Sequence, residues 1–226
     1  MTEDDWLHST DPRVMLENLD GSASARKVRL FFCAWAREVW HAVKDERSKE
    51  AVLAAEKFAD DALALAGLIE AYNGAQQVWR GVRADYGGRH GKRLKSRRGT
   101  GAVKRAAGVA RDAANPFLNV RTALLAIGWG EKAARKVRLC EILRDLFLNP
   151  FVQPPLVEPG WLTWQNATVV GIAKTVYEEG RFDELPVLGD ALEDAGCQNV
   201  EMLSHCRGPG PHARGCRVVD LILGKE

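Results

Sequence analysis

Apolar residues recur at three- and four-residue steps through most of the chain, which is the spacing of amphipathic helices. The stripe formed by Val28, Phe31 and Trp35, which follows Ser24, is the clearest example. No stretch of convincing length alternates with the two-residue period of a strand, so the pattern predicts an all-α protein. The predicted helices cover residues 12–19, 24–43, 48–79, 103–114, 131–147, 168–179, 185–195 and 211–223.

Residues 87–101 interrupt this pattern, because they are rich in glycine and basic side chains and contain a single aliphatic residue, Leu94. Such a composition buries too little apolar surface to offset the entropy of ordering, and it predicts an exposed loop. We therefore interpret the chain as a multi-helix, bundle-like array in three parts. These are an N-terminal helical part (1–80), a basic insert (81–120) and a C-terminal helical part (121–226) that ends in a Cys/His-rich knot.

The composition is typical of a globular protein, with 46% apolar and 27% charged residues. No apolar run approaches the roughly 18 residues that a membrane-spanning helix needs. The acidic N-terminus lacks the apolar segment of a secretory signal. The chain has five cysteines, an odd number, so a disulfide framework is not expected. These features predict a cytoplasmic protein with no membrane partner.

The net charge of +2 conceals a basic middle. Residues 67–145 carry 17 Lys and Arg against 6 Asp and Glu, whereas the segments on both sides are acidic. Basic tracts bind nucleic acid through its phosphates without reading base sequence. A charged insert also occurs simply as a solvated loop, and both interpretations stay open. The candidate phosphate-binding residues are Arg89, Lys92, Arg93, Lys95, Arg97 and Arg98.

The strongest chemical feature lies near the C-terminus, where three of the five cysteines and two of the five histidines fall within residues 197–216. Thiolate and imidazole are ligands that zinc prefers. If the last helix begins near Pro211, His212 and Cys216 lie four residues apart on one face and present two ligands to one ion. The predicted ligands of a closed, structural zinc site are Cys197, Cys206, His212 and Cys216, with His205 as the alternative to Cys206.

His205 and Cys206 are alternatives because adjacent residues of a helix diverge by about 100°. Two other interpretations of the same residues stay open. Free cysteines are often small core residues, in which case the histidines only cap or form hydrogen bonds. A cysteine nucleophile would need His212 as the base for Cys216 or Cys206, with nearby arginines lowering the thiol pKa. No orienting third group can be assigned from the sequence, so no catalytic residue is predicted.

Long motifs at both ends carry a family resemblance. They are WLHSTDPRVMLENL and ARKVRLFFCAWAREVW in the N-terminal half, and LRDLFLNPF, WLTW and HCRGPGPHARGC in the C-terminal half. On these motifs the chain resembles a heavily duplicated bacterial family of the planctomycete type. Members of that family are richer in cysteine around Cys33 and often have Trp in place of Arg217. Residues 70–135 lack a counterpart, so the resemblance implies a variable insert between constant ends, and it implies no particular activity.

Taken together, these features predict a non-enzymatic cytoplasmic module for binding or regulation, with a structural zinc ion as its cofactor and a protein as its partner. The alternative is a nucleic-acid-associated protein that binds phosphates through the basic insert. A cysteine-dependent enzyme is the third hypothesis.

If the basic insert binds nucleic acid, affinity should fall steeply with salt and depend little on base sequence, because the contacts are to phosphates. Neutralising Arg93, Lys95, Arg97 and Arg98 together should then abolish an electrophoretic mobility shift at low salt. Tight binding that survives the four substitutions would place the contact surface elsewhere, and no shift with the natural chain would remove the hypothesis.

Overall fold

The structure is a computed structural model that describes residues 1–87, 100–127 and 132–225. All regular structure in these ranges is helical, which confirms the predicted all-α class. In chain order the helices are α1 (Glu3–His8), α2 (Pro12–Asn18), α3 (Ala25–Glu38), α4 (Glu46–Ala59), α5 (Leu65–Gly87), α6 (Thr100–Ala113), α7 (Val120–Ala126), α8 (Ala133–Leu146), α9 (Pro159–Glu179), α10 (Leu185–Asp194), α11 (Val200–Arg207) and α12 (Arg217–Leu223).

The chain divides into two compact units. We call residues Met1–Asn18 together with Lys132–Glu226 the terminal unit, and residues Leu19–Glu131 the central unit. The interpretation of residues 81–120 as a variable insert stays a prediction, since residues 88–99 lie outside the described ranges. Among the described residues, no helix combines the length and apolar character needed to cross a membrane.

Helix α3 forms the centre of the central unit, and its apolar stripe is buried as its spacing predicts. The Ser24 side chain caps the helix by accepting a hydrogen bond from the Lys27 amide at 3.2 Å. Phe31 and Phe32 pack edge to face with their ring centroids 5.5 Å apart. The helix packs against α4 and α6, which explains why nearly all of its residues from Val28 onward are buried.

The alanine-rich segment predicted as one helix over residues 48–79 is two helices, α4 and α5. The chain turns between them at Asp61, which has a left-handed φ of 56° that Asp tolerates better than most residues. The Ala62 amide closes the turn by donating to the Lys57 carbonyl oxygen at 2.8 Å. Ala62 and Ala66 continue the spacing of the buried α4 residues in the sequence, but both are exposed, so the buried stripe of α4 does not carry on past the turn.

In the terminal unit, the first eighteen residues are held on α8 by polar contacts. The Arg144 guanidinium donates to the carbonyl oxygens of Trp6 and Ser9 at 2.9 and 2.6 Å. Lys136 pairs with Asp11 at 2.8 Å. Because these basic residues lie on one helix, α8 fixes the position of α1 and α2 within this unit.

The remaining helices of the terminal unit, α9 to α12, share one apolar core. Helix α9 is interrupted at residues 164–167, where Gln165, Asn166 and Ala167 have left-handed φ angles. The core includes Val176, Leu188, Leu192, Val219 and Ile222, together with Cys197, Cys206 and Cys216.

Substituting Trp6 tests the anchoring of the N-terminal segment. Trp6 is 1% exposed, so Trp6→Ala should destabilise the terminal unit by about 3–5 kcal/mol. The neighbouring Leu7 is 49% exposed, and Leu7→Ala should cost less than about 0.5 kcal/mol. The loss of stability should be measured by amide hydrogen exchange in α8. This helix reports on the terminal unit separately, which matters because the two units need not unfold together. Equal exchange in the two variants would show that α1 contributes little to this unit.

Candidate metal centre

Four side chains of the terminal unit converge: Asp145, His205, His212 and Cys216. One donor atom from each lies within 4.8 Å of those of the other three. His205 Nε2 lies 3.1 Å from Cys216 Sγ and 3.2 Å from Asp145 Oδ1. His212 Nδ1 lies 2.8 Å from the same carboxylate oxygen. The donors therefore surround one point, with Asp145 Oδ1 adjacent to both imidazoles.

Each of these side chains is positioned by a different element. Asp145 lies in the last turn of α8, and His205 lies in the last turn of α11. His212 lies in the loop that follows α11, and Cys216 is the N-cap residue of α12. The site thus joins α8 to three consecutive elements, α11, the loop after it and α12, which begin more than 50 positions later in the chain and belong to the same unit.

The final helix begins at Arg217, and the prediction that it begins near Pro211 is wrong. Residues 208–216 form an irregular loop because two Gly-Pro steps disfavour a helix and because Gly210 and Gly215 have left-handed φ angles. A Cβ atom at Gly210 would lie 2.9 Å from the His212 amide nitrogen. His212 and Cys216 therefore converge through the fold of this loop rather than through a helical i, i+4 spacing.

The carboxylate of Asp145 is the most buried charge of the site, with its side chain 2% exposed. Its Oδ2 accepts a hydrogen bond from the Ala213 amide at 3.0 Å, while Oδ1 faces both histidines. Burial alone would raise the pKa of Asp145, but the hydrogen bonds from His205 and His212 outweigh it and hold the pKa below its usual value. Asp145 is therefore an ionised acceptor at neutral pH.

The two histidines differ in their surroundings. Burial lowers the pKa of His205 below its ordinary value, despite the opposing effect of Asp145. For His212, burial lowers the pKa, but the hydrogen bond and negative charge of Asp145 and the hydrogen bond to the Gly208 carbonyl oxygen outweigh it. The pKa of His212 is therefore raised above its ordinary value. His212 Nε2 lies 3.3 Å from the Gly208 carbonyl oxygen, so this ring is held at both nitrogens. Arg217 Nε donates to His205 Nδ1 at 3.4 Å, a long hydrogen bond that leaves Nε2 facing the cluster.

The thiol of Cys216 is buried, and burial raises its pKa well above the usual value. The backbone amides of Val218 and Val219, at the start of α12, act in the opposite direction but more weakly. Burial likewise raises the pKa of Cys206 to about 12. Without a cation, both residues are therefore protonated thiols at neutral pH.

The converging group and the predicted ligand set overlap in part. His212 and Cys216 are in both, and His205, the predicted alternative to Cys206, lies in the group. Cys197 and Cys206 are not in it, and both are buried in the apolar core of the terminal unit. The side chains of His205 and Cys206 diverge as expected for adjacent residues of α11, because only His205 joins the cluster.

Sequence reasoning missed Asp145, which lies 60 positions before His205. The sequence did contain a sign that Asp145 is buried. It lies three residues after the apolar Ile142, which places it on the buried side of α8. A carboxylate at such a position needs partners, because a buried charge without them is costly. The helical pattern indicates the burial, but it does not show which distant residues supply those partners.

The basic residues proposed to contact phosphates lie outside the described residues, and the nucleic-acid hypothesis stays a prediction. These are Arg89, Lys92, Arg93, Lys95, Arg97 and Arg98.

A cleft of about 210 Å³ opens onto the cluster. Asp145, His205 and His212 line it, together with Glu141, Arg144, Arg217 and the loop residues 208–211. The histidine side chains are 9% and 10% exposed, whereas Cys216 is fully buried. The cluster is therefore reached from one side, through its histidines and carboxylate.

The geometry disfavours a cysteine nucleophile. In a Cys-His-Asp triad the imidazole uses one nitrogen for the thiol and the other for the orienting carboxylate. Here Cys216 and Asp145 both face Nε2 of His205, and Nδ1 faces Arg217. The thiol is also buried and its pKa is raised, which is the opposite of activation.

Comparison with known proteins adds no relative: no protein-family model matches the chain, and no match was found among curated proteins or solved structures. The kinship with a planctomycete-type family stays a prediction. Any function assigned to the chain has to follow from the geometry of its own residues.

Thiol labelling separates an inert cluster from a catalytic one. In native protein treated with a chelator, Cys216 should react with iodoacetamide as slowly as Cys140, whose pKa burial raises to about 12. All five cysteines should label once the protein is unfolded in urea, which controls for the reagent. Selective and rapid alkylation of Cys216 in the native state would revive the hypothesis of a nucleophile.

Proposed function

We propose that the terminal unit binds one zinc ion through Asp145, His205, His212 and Cys216, and that this ion has a structural role in a non-enzymatic module for binding or regulation. The observation that carries the proposal is the position of His205 Nε2, 3.1 Å from Cys216 Sγ and 3.2 Å from Asp145 Oδ1. One nitrogen is shared by two acceptors that belong to different elements.

A hydrogen-bond network explains this arrangement poorly. A ring nitrogen carries at most one proton, so Nε2 cannot donate a well-aligned hydrogen bond to the sulfur and to the carboxylate at once. An ion at the centre interacts with all four donors without competition. With bonds of about 2.0–2.3 Å, the donors of a tetrahedral zinc site lie roughly 3.3–3.8 Å apart. The three contacts at 2.8–3.2 Å and the limit of 4.8 Å for all pairs bracket that spacing, so zinc requires shifts of about 1 Å or less.

The donor set also favours zinc on chemical grounds. One sulfur, two imidazole nitrogens and one carboxylate oxygen form a mixed set of the kind that zinc accepts, whereas magnesium and calcium prefer oxygen alone. A bound cation lowers the pKa of a coordinating thiol, which offsets the effect of burial on Cys216. The amides of Val218 and Val219 already favour the thiolate.

The surroundings of the histidines support the same assignment. Metal-binding histidines usually donate their second N–H group to a carbonyl or carboxylate oxygen. His212 meets this condition, because its Nε2 faces the Gly208 carbonyl oxygen. Zinc binding through Nε2 of His205 would place that ring's proton on Nδ1. The long hydrogen bond from Arg217 would then be lost, while Arg217 would keep its ion pair with Glu201.

The positions of the ligands support a structural role. The ion would connect α8, α11, the 208–216 loop and the start of α12, and α8 also holds the N-terminal segment. Five free cysteines suit a reducing compartment, which supports the proposed cytoplasmic location. A protein partner remains part of the proposal and rests on the structural rather than catalytic character of the site.

Zinc content tests the proposal. Protein purified without chelator should contain about one zinc per chain under this four-ligand assignment. Cys216→Ala and Asp145→Asn should each lower the content sharply, since each removes a ligand. Cys206→Ala is the matched control, because it changes a buried cysteine of the same core that lies outside the group. Circular dichroism of each variant checks that the helices persist.

The same three variants distinguish the geometric ligand set from the one predicted from the sequence. Loss of zinc in Cys206→Ala with retention in Asp145→Asn would favour the predicted set of Cys197, Cys206, His212 and Cys216. Absence of zinc from the natural chain, with no uptake of added zinc, would leave the cluster as a hydrogen-bonded part of the core.

A further inference from the structure

We infer that the cleft beside the cluster is a binding site for a small anion, which enters from solvent and becomes an additional ligand of the metal ion. This inference rests on the proposed zinc site and adds a ligand-binding function to it. The class of ligand is a small monoanion that offers a nitrogen or oxygen donor, such as azide or a short carboxylate.

The position of the cleft is the first argument. Three of the four proposed metal ligands line it, and the fourth, Cys216, lies on the buried side. Four protein ligands suffice for a structural zinc ion, and the cleft gives a further ligand an approach to that ion from one side. Here the approach runs past His205 and His212, whose side chains are 9% and 10% exposed. An incoming ligand would therefore approach past the two histidines and not from the side of Cys216.

The cleft is large enough for a small ligand. Its volume of about 210 Å³ is well above what a single water molecule needs. Zinc sites with an approach for a ligand sometimes expand to five ligands, so we expect the anion to add to the four protein ligands.

The charges of the lining select an anion. A divalent ion is balanced by the thiolate of Cys216 and the carboxylate of Asp145. Glu141 pairs with Arg138 at 3.1 Å, and Arg217 pairs with Glu201. Arg144 instead donates to the carbonyl oxygens of Trp6 and Ser9, which carry no formal charge. Its positive charge is therefore uncompensated by these contacts and favours a negative ligand in the cleft.

Cobalt substitution provides the measurement. Co²⁺ adopts zinc sites, and the position and intensity of its visible absorption report its coordination number. The full-length protein is loaded with Co²⁺ and titrated with sodium azide at constant ionic strength, with sodium perchlorate as the control salt. We expect azide to shift and weaken the visible bands in a saturable manner, as a change from four to five ligands requires.

Three variants connect the spectral change to the cleft. Glu141→Gln removes a negative charge from the lining and should tighten azide binding by about two- to threefold. Glu141→Trp should fill the cleft and abolish the response to azide. Glu178→Gln makes the same charge change at an exposed position of α9 outside the cleft lining, and it should leave azide affinity as in the natural chain. The Co²⁺ spectrum before azide is recorded for each variant as a check of folding and metal loading.

The outcomes separate this inference from the zinc proposal. A thiolate-ligated Co²⁺ spectrum that millimolar azide does not alter would support a closed metal site and overturn the anion site. A response to azide that is unchanged in Glu141→Trp would also overturn it, because the anion would not use this cleft. If no thiolate-ligated Co²⁺ spectrum forms at all, the metal site itself is refuted and the anion site is refuted with it.

Discussion

The buried carboxylate of Asp145 is the interaction on which the organisation of the terminal unit depends. An ionised carboxylate with its side chain 2% exposed is tolerated only where donors compensate for its lost hydration. Its two oxygens meet two imidazoles and the Ala213 amide. These donors come from α11 and from the loop after it, so satisfying one charge on α8 fixes the course of the chain from His205 to the start of α12. A loop rich in glycine and proline would otherwise be free to adopt many paths.

The same helix links the site to the beginning of the chain. Arg144 precedes Asp145 and donates to the carbonyl oxygens of Trp6, within α1, and of Ser9, at the end of α1. Residues that are far apart in sequence thus depend on two adjacent side chains of α8. An ion at the cluster would therefore stabilise more than the Cys/His-rich loop, because any shift of α8 would disturb the burial of Trp6. Through this coupling, a metal ion bound at the cluster would affect more residues than those that hold it.

The cluster shows how one set of side chains can be assigned to different chemistry until their orientation is known. Cysteine, histidine and aspartate are the components of a nucleophilic triad and of a metal site. The direction of each imidazole ring distinguishes the two. In a triad, one nitrogen of the imidazole faces the nucleophile and the other faces the carboxylate. In a metal site, one nitrogen of each imidazole points to a common centre. His205 and His212 follow the second arrangement, and burial of Cys216 removes the activation that the first requires.

The sequence by itself determined the helical class, the burial of the α3 stripe and the concentration of metal-ligand side chains in residues 197–216, because periodicity and ligand chemistry are local properties. It also selected His212 and Cys216, with His205 as the alternative to Cys206, and these three side chains belong to the group that converges. Only the tertiary structure brought in Asp145, placed Cys197 and Cys206 in the apolar core and began the last helix at Arg217. The physical reason is that a buried charge and its donors are matched across 60 or more positions, by packing of helices that no local spacing encodes. The turn at Asp61 was also decided by packing, since Ala62 and Ala66 extend the helical spacing in the sequence although the fold leaves both exposed.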